Sequence, residues 1–308
     1  MSDPSTRRTF LRDGALLATG AAVGTFTAGL HSRPAQAVEP IKRNGTAQFK
    51  FSLAAYSYRK LLSGAKPELT LENFITDCAA MGLEGTELTS YYFPKNPTRE
   101  FLAGLKGFAF RLGLDVSGTA VGNDFCHPPG EKRDAKIAHV KRWIEHAEIL
   151  GAPVIRIFSG RPRGDQTEDQ ARKLAIEAIE ECCDHAGKHG VHLALENHGG
   201  LTTSVDGMLQ LVQAVKSPWF GVNLDSGNFR GETLYDDLAK IAPYALNAQI
   251  KVVVHPQSGK NEPTDFPRLA KIMRDAGYRG YIVLEYEEGE DPRKACPPFV
   301  EILRKAFA

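Results

Sequence analysis

Short apolar segments alternate with longer segments of helical period from Phe49 to the end of the chain. The short segments carry the β-branched residues that favour strands, and the longer ones repeat apolar residues every three or four positions. Repeated βα units of this kind are typical of a parallel sheet. Eight strands are predicted, at residues 51–55, 85–88, 115–120, 154–158, 192–195, 219–224, 248–253 and 281–284.

Local chemistry marks the ends of several predicted helices. Thr167 stands three residues before Gln170, which is the pattern of a helix start, and glycines follow the helical segments where a helix should stop. These stop positions are Gly113, Gly151, Gly190 and Gly277. Helices are predicted at residues 71–81, 98–112, 133–150, 168–188, 205–215, 233–241, 265–276 and 292–306.

The count of βα units predicts the fold class. Eight units within residues 49–308 favour a single-domain (β/α)8 TIM barrel, with residues 38–48 as a linker. An open doubly wound sheet is disfavoured, because a Gly-rich phosphate turn usually follows its first strand and none follows residues 51–55. In a closed barrel the active site lies at the C-terminal ends of the strands.

Residues 1–37 have the pattern of a twin-arginine export signal. Arg7 and Arg8 stand in a Thr-Arg-Arg-Thr-Phe-Leu-Arg sequence, a weakly apolar segment follows, and Ala35-Gln36-Ala37 offers a cleavage site. We predict a cleaved signal, the twin-arginine export machinery as a partner, and a periplasmic or otherwise exported enzyme. An uncleaved membrane anchor is the alternative, which the several glycines of the segment disfavour.

Composition narrows the ligand class. The formal net charge is +1, and the chain has no run of like charges, which disfavours nucleic acid and favours a small carbohydrate. The five cysteines form no CxxC pair, so neither a disulfide framework nor a structural zinc site is predicted. The oligomeric state is left open, and a homo-oligomer is compatible with the sequence.

Three acids close predicted strands in the second half of the barrel, namely Glu196, Asp225 and Glu285. Carboxylates that converge on one rim repel one another, and a bound divalent ion neutralises them most simply. Oxygen ligands favour a hard ion such as Mn²⁺ or Mg²⁺. The alternative is that these acids pair with Arg156, Arg161 or Lys251.

Four motifs resemble those of the sugar phosphate isomerase/epimerase family, the xylose isomerase-like barrels. They are Leu195-Glu196-Asn197-His198-Gly199-Gly200, Leu224-Asp225-Ser226-Gly227-Asn228, Gln249-Ile250-Lys251 and Leu284-Glu285-Tyr286-Glu287. The resemblance implies one divalent metal held by Glu196, Asp225, the position of Gln249, and Glu285. Mn²⁺ is favoured, with Mg²⁺, Co²⁺ or Zn²⁺ as alternatives.

Gln249 departs from the family pattern, in which this ligand is a histidine. An amide oxygen can ligate a metal, although more weakly than an imidazole. The alternative is that the Gln249 amide does not bind the metal but contacts the residues that do, and that water is the fourth ligand.

Strand pleating predicts which side chains lie next to the proposed ligands, since residues two apart in a strand point to the same side. His198 should lie beside Glu196, Lys251 beside Gln249, and Glu287 beside Glu285. We predict catalytic roles for Glu196, Glu285, His198 as a base and Lys251 as an oxyanion partner. Substrate contacts are predicted for Tyr58, Asn123, His127 and Glu287.

Two reactions are compatible with this constellation. A metal-dependent isomerase or epimerase would remove the proton next to a sugar carbonyl and pass through an enediolate, with Glu196 and Glu285 as the proton carriers. His198 as a base resembles the arrangement in family members that eliminate the aglycone from 3-keto glycosides, so the resemblance implies a lyase as the alternative. A phosphodiesterase or a non-catalytic sugar-binding protein is disfavoured, and the few basic residues after Lys251 favour an unphosphorylated sugar.

Overall fold

The computed structural model describes residues 38–256 and 260–308. The predicted export signal therefore lies outside the described residues and stays a prediction. Ten strands are assigned in the described part: β1 Gln48–Ala54, β2 Gly85–Thr89, β3 Asp115–Ala120, β4 Val154–Ile157, β5 His192–Glu196, β6 Phe220–Asp225, β7 Ala245–Lys251, β8 Val253–Val254, β9 Glu262–Pro263 and β10 Arg279–Glu285.

Eight of these strands close into a parallel barrel in the order β1-β10-β7-β6-β5-β4-β3-β2. Closure is made between β1 and β10, where Phe51 lies opposite Ile282 and Leu53 opposite Leu284. The short strands β8 and β9 pair with each other outside the barrel. The predicted (β/α)8 barrel is confirmed, and its strands end together at one rim.

The helices of the described residues match the predicted ones to within two residues at each end. One short helix, α1, was not predicted, and neither were three 3-10 turns at Ala55–Tyr58, Ser90–Tyr92 and Ala242–Tyr244. The helices are α1 Arg59–Leu62, α2 Leu71–Ala80, α3 Arg99–Arg111, α4 Glu131–Leu150, α5 Glu168–Lys188, α6 Val205–Ala214, α7 Leu234–Ile241, α8 Phe266–Asp275 and α9 Pro292–Phe307.

The helix α5 shows how the sequence forms these elements. Its start is a capping box, in which Thr167 accepts from the backbone of Gln170 and the Gln170 side chain accepts from the backbone of Thr167. Its buried side includes Ala171, Ala175 and Ala178, whose spacing of three and four places one stripe against the barrel. Gly190, just beyond its end, has a φ of +66°, a conformation that side chains disfavour.

The described residues contain neither a membrane-spanning helix nor a disulfide. Among the described residues, no helix has the length and the apolar character needed to cross a membrane. All five cysteines lie in the described part, where they are buried and form no disulfide. Burial raises the pKa of the Cys296 thiol to about 12, which keeps it protonated and unreactive near neutral pH.

His192 predicts a pH dependence of stability that is independent of the active site. It begins β5, its ring packs 4.8 Å from that of Trp219, and burial lowers its pKa. The unfolded chain therefore binds a proton more readily as the pH falls below about 6.5, so folded stability is lost with falling pH. We expect His192→Asn to lose less unfolding free energy than the wild type between about pH 7 and pH 5. Equal losses in urea unfolding would contradict this expectation.

Candidate functional site

The C-terminal ends of the barrel strands surround one cavity, which we call the mouth cavity. Its volume is about 190 Å³, below the roughly 300–1,000 Å³ of pockets for drug-sized ligands, so it suits a small molecule. Its walls are Tyr56, Tyr91, Arg156, Phe158, Glu196, His198, Lys251, Glu285 and Glu287. The structure thus brings together Glu196, His198, Lys251, Glu285 and Glu287, all of which the sequence predicts for the site.

Lys251 is the positive centre of this cavity. Its Nζ lies 3.1 Å from Glu287 Oε2, 3.3 Å from Asp225 Oδ2 and 3.7 Å from Glu285 Oε2. Lys251 ends β7, between β6 and β10, and it lies opposite Glu285 in the sheet register. Burial alone would lower the pKa of the ammonium, but the surrounding carboxylates raise it, so Lys251 stays charged.

Asp225 ends β6 and is fully buried. Its Oδ1 accepts a hydrogen bond from the backbone N–H of Gly227 at 2.8 Å. Its Oδ2 has no hydrogen-bond donor among the described residues and depends on the nearby Lys251 charge. A buried carboxylate oxygen without a donor is costly, which makes Asp225 Oδ2 a ready acceptor for a further cation.

Glu196 ends β5 and pairs with a different cation. The Arg156 Nε lies 2.9 Å from Glu196 Oε2, and both side chains are buried. The Asn228 amide donates to the other carboxylate oxygen, Oε1, at 2.8 Å. The Arg156 guanidinium also lies over the Phe158 ring, 4.1 Å from its centroid, which fixes its plane.

Burial changes the proton affinity of both glutamates. It raises the pKa of Glu196 to about 7, although the adjacent Arg156 lowers it in part. Burial also raises the pKa of Glu285 well above its ordinary value, against the opposing effect of Lys251. A carboxyl group with a pKa near neutral, such as that of Glu196, can both take and return a proton at physiological pH.

Gln249 lies in a polar layer of the barrel interior formed by Glu87, Asn223, Asn247 and Gln249. Its amide nitrogen donates to Glu87 Oε1 at 2.6 Å, and its oxygen accepts from Asn223 at 2.6 Å. Glu87 Oε2 accepts from Asn247 at 2.7 Å. Both ends of the Gln249 amide are therefore engaged, which favours the alternative of an amide behind the ligands over direct ligation.

His198 comes just after β5 at the wall of the mouth cavity, with its ring 4.6 Å from that of Phe158. Burial lowers its pKa, and the Lys251 and Arg156 charges lower it further, so the imidazole is neutral near pH 7. The two glycines after it make a tight turn. Gly200 has a φ of +58°, and a Cβ there would overlap the Gly160 carbonyl oxygen, so this position requires glycine.

The other predicted substrate contacts lie elsewhere. Tyr58 is buried against Phe74, with ring centroids 5.1 Å apart, and Tyr56 lines the mouth cavity in its place. Asn123 donates to the Phe158 carbonyl and accepts from the Phe158 N–H, at 2.7 and 2.9 Å. The carbonyl of His127 accepts from Arg133 at 3.4 Å, and its side chain is not among the described walls of the cavity.

Arg156, Phe158, Tyr56 and Tyr91 line the cavity but are absent from the predicted site. Arg156 enters the sequence analysis only as an alternative partner for the acids. Its signal is a charged residue inside an apolar strand, flanked by Ile155 and Ile157. A buried arginine in such a strand needs an acidic partner, which here is Glu196.

The charge of the mouth cavity fits a divalent cation. Four acids, Glu196, Asp225, Glu285 and Glu287, face two cations, Arg156 and Lys251, which leaves 4 − 2 = 2 negative charges when all are ionised. Glu196, Asp225 and Glu285 supply the hard oxygen atoms that such an ion prefers. The fourth predicted ligand, Gln249, fits less well, because its amide is engaged at both ends.

A different group in the described residues has the closest arrangement of metal-ligating atoms. Glu145, His185 and His189 each offer one ligand atom, and these atoms lie within 4.8 Å of one another. The acids of the mouth cavity do not form such a group among the described residues. The Lys251 ammonium lies near Asp225 and Glu285, and the Arg156 guanidinium holds Glu196.

Comparison with known proteins shows the family of the chain and its similarity to an epimerase. A model of the xylose isomerase-like TIM barrel family matches residues 75–305. The L-ribulose-5-phosphate 3-epimerase of Salmonella paratyphi A is 26% identical over 212 residues, which is 63% of this chain and 73% of that protein.

Three solved structures share the fold. The D-psicose 3-epimerase of Clostridium cellulolyticum H10, with D-tagatose, aligns with a TM-score of 0.70 and 14% identity over 84% of this chain and 99% of its own. The 3-keto-D-glucoside 4-epimerase of E. coli aligns with a TM-score of 0.64 and 17% identity, over 84% of this chain and 99% of its own. The IOLI protein with a binding zinc atom aligns with a TM-score of 0.65 and 16% identity, over 83% of this chain and 96% of its own.

Proposed function

Because the chain belongs to the xylose isomerase-like TIM barrel family, we propose that it is a sugar isomerase or epimerase acting on an unphosphorylated sugar. The observation that carries this proposal is the pair of buried glutamates, Glu196 and Glu285, on the wall of one small cavity. Both have raised pKa values caused mainly by burial. Two such groups can take a proton from a carbon next to a carbonyl and return it.

The side chains around the pair supply the rest of this chemistry. Proton removal places negative charge on the carbonyl oxygen, and the Lys251 ammonium at the cavity wall stabilises that charge. The Tyr56 and Tyr91 rings offer flat apolar walls for a sugar. The proton leaves through one glutamate and returns through the other in an epimerase, whereas an isomerase returns it to the neighbouring carbon.

Glu196, Asp225 and Glu285 would hold a divalent metal, with Mn²⁺ favoured. A bound ion would polarise the carbonyl and lower the pKa of the adjacent C–H. Asp225 Oδ2 supports this assignment, because it accepts no hydrogen bond among the described residues and has only the Lys251 charge beside it, 3.3 Å away. The two negative charges that remain when all four acids are ionised support it as well. Lys251 would keep other partners, since its Nζ lies 3.1 Å from Glu287 and 3.2 Å from Asn228 Oδ1.

The cavity also favours an unphosphorylated substrate. Its two described cations, Arg156 and Lys251, are both engaged by buried acids. A phosphate group would have to compete with those carboxylates for the same charges, at a cost in desolvation. A neutral sugar needs only hydrogen bonds from the wall residues.

Elimination from a 3-keto glycoside is the second candidate, and His198 favours it. Its imidazole lines the cavity and is neutral near pH 7, so it can act as a base. A leaving group β to the carbanion would then depart before the proton returns. Elimination and epimerisation both begin with removal of the proton next to the carbonyl, but they differ in the base that takes it, His198 or a glutamate, and in the fate of the carbanion.

Product analysis distinguishes the two reactions. The Mn²⁺-loaded enzyme would be incubated with a panel of free ketoses and with a 3-keto glycoside, and the sugars and any released aglycone would be separated by chromatography. The proposal expects epimers or aldose–ketose isomers of a free sugar. Aglycone release without epimer formation would support the lyase, and no turnover of either class would contradict both.

Export is a proposal that rests on residues 1–37. Arg7 and Arg8 form the pair that a twin-arginine signal requires. We expect Arg7→Lys with Arg8→Lys to retain the full-length protein in the cytoplasm, as measured by fractionation of the producing bacterium. Unchanged export of the double variant would contradict the proposal.

A further inference from the structure

The helices α4 and α5 bring two histidines and two glutamates together on the outer surface of the barrel. His185 lies in the last turn of α5 and His189 caps that helix, so the two rings are one helical turn apart. Their centroids are 4.6 Å apart. Glu145 and Glu148 face them from α4, the neighbouring helix.

The contacts in this cluster are specific. His185 Nε2 lies 3.2 Å from Glu145 Oε1, and His189 Nδ1 lies 2.8 Å from Glu148 Oε2. One ligand atom from each of Glu145, His185 and His189 lies within 4.8 Å of the others. Tetrahedral zinc, with ligands at about 2.0–2.2 Å, needs ligand atoms about 3.3–3.6 Å apart, so small side-chain rotations complete the site.

Exposure permits those rotations. The imidazoles of His185 and His189 are each 23% exposed, and the Glu145 side chain is 50% exposed. The cluster is therefore anchored on two rigid helices and still open to water, which can fill the fourth position of a zinc ion.

We propose that Glu145, His185 and His189 form a binding site for a zinc-type transition metal, with Glu148 orienting the His189 ring. A carboxylate that binds one imidazole nitrogen holds the ring in place and leaves the other nitrogen for the metal. Two imidazoles and a carboxylate suit Zn²⁺, Ni²⁺ or Cu²⁺ better than Mn²⁺ or Mg²⁺. The preferred metals thus differ from those of the mouth cavity.

The position of the cluster separates it from the active site. The C-terminal ends of α4 and α5 lead into β4 and β5, so the cluster lies at the rim where strands begin, opposite the mouth cavity. The two helices meet here across about 40 residues of chain. A metal at this point links them and stabilises the fold by binding only the folded state.

A zinc titration of the full chain tests this inference. Thermal unfolding would be measured with added ZnCl2 for the wild type, for His185→Gln with His189→Gln, and for the matched control His139→Gln, a histidine of α4 outside the cluster. We expect zinc to raise Tm by several degrees in the wild type and the control, and the double variant to lose at least tenfold in zinc affinity. Any zinc binding that survives in the double variant belongs to another site, such as the mouth cavity.

Two further arms keep the test decisive. Glu148→Gln retains all three proposed ligands and should weaken zinc binding by about 10- to 100-fold, because it loses the group that orients His189. Visible absorption of added Co²⁺ should show a tetrahedral spectrum that the double variant loses. Equal zinc affinity in the wild type and the double variant, or an equal loss in His139→Gln, would overturn the proposal.

Discussion

Replacing Glu285 with glutamine should lower kcat/KM for the sugar substrate by about 10²- to 10⁴-fold, the usual contribution of a positioned acid or base. The change keeps the size of the side chain and removes its ability to carry the proton. It also removes a raised-pKa carboxyl group from beside Asp225, so the free energy of unfolding should not fall with the activity. Steady-state kinetics and denaturant unfolding on the same samples measure the two quantities.

Glu288→Gln is the matched control for this substitution. Glu288 lies three residues after Glu285, in the loop that follows β10, and it lines a separate groove beside Tyr286 instead of the mouth cavity. Its activity should stay within a few-fold of the wild type. Similar losses in the two variants would show that the loss of activity reflects a disturbance of the end of β10 and its loop, and would remove the assigned role of Glu285.

Replacing Lys251 with methionine should cost about 3–5 kcal/mol of unfolding free energy in metal-free protein, because it leaves buried Asp225 without its cation. Protonation of Glu285, whose pKa burial raises, limits the cost and makes it smaller at lower pH. Added Mn²⁺ should restore more stability to this variant than to the wild type, since the ion then supplies the missing charge. Urea unfolding with and without chelator measures both effects.

Lys240→Met is the control, because Lys240 also pairs with an aspartate but its ammonium lies at the protein surface. Lys240 Nζ lies 2.9 Å from Asp237, and its side chain is 54% exposed. Water and salt screen a pair whose lysine is this exposed, so its loss should change the stability little. If Lys251→Met costs no more than Lys240→Met, the carboxylates of the mouth cavity do not depend on a cation.

The fold was predictable because the barrel uses local patterns. The apolar segments have the length of strands, and glycines such as Gly151 and Gly190 take positive φ angles after the helices. The rim residues were predictable from the rule that polar positions at the C-terminal ends of barrel strands face the site. That rule placed Glu196, Lys251 and Glu285 in one cavity.

The depth of a side chain in the barrel could not be predicted from strand pleating. Gln249 and Lys251 share a side of β7, but Lys251 reaches the mouth cavity while Gln249 ends in the polar layer with Glu87. Pleating determines the side of the strand to which a side chain points, and the stagger between strands determines its depth along the barrel axis. Glu87, which accepts the hydrogen bond from the Gln249 amide, belongs to β2, some 160 residues earlier in the chain.

The predicted aromatic substrate contact after β1 was Tyr58, whereas Tyr56 lines the cavity, because β1 gives way to a 3-10 turn at residue 55. Residues 55–58 form a 3-10 turn, in which positions two apart no longer share a side. Tyr56 therefore faces the cavity and Tyr58 the helix layer. Asn123 was predicted as a substrate contact, but its side chain satisfies the backbone of Phe158, a contact between segments 35 residues apart that the sequence does not reveal.

The central claim is that Glu196 and Glu285 exchange the proton next to a sugar carbonyl, and solvent deuterium incorporation tests it most directly. The Mn²⁺-loaded wild type and the double variant Glu196→Gln with Glu285→Gln would be incubated in D2O with the sugar found to be turned over, and C–H exchange would be measured by NMR. Deuterium should enter at the carbon next to the carbonyl in the wild type, and the double variant should lose both this exchange and product formation. Turnover without deuterium at that carbon, or undiminished exchange when both glutamates are replaced, would contradict the account.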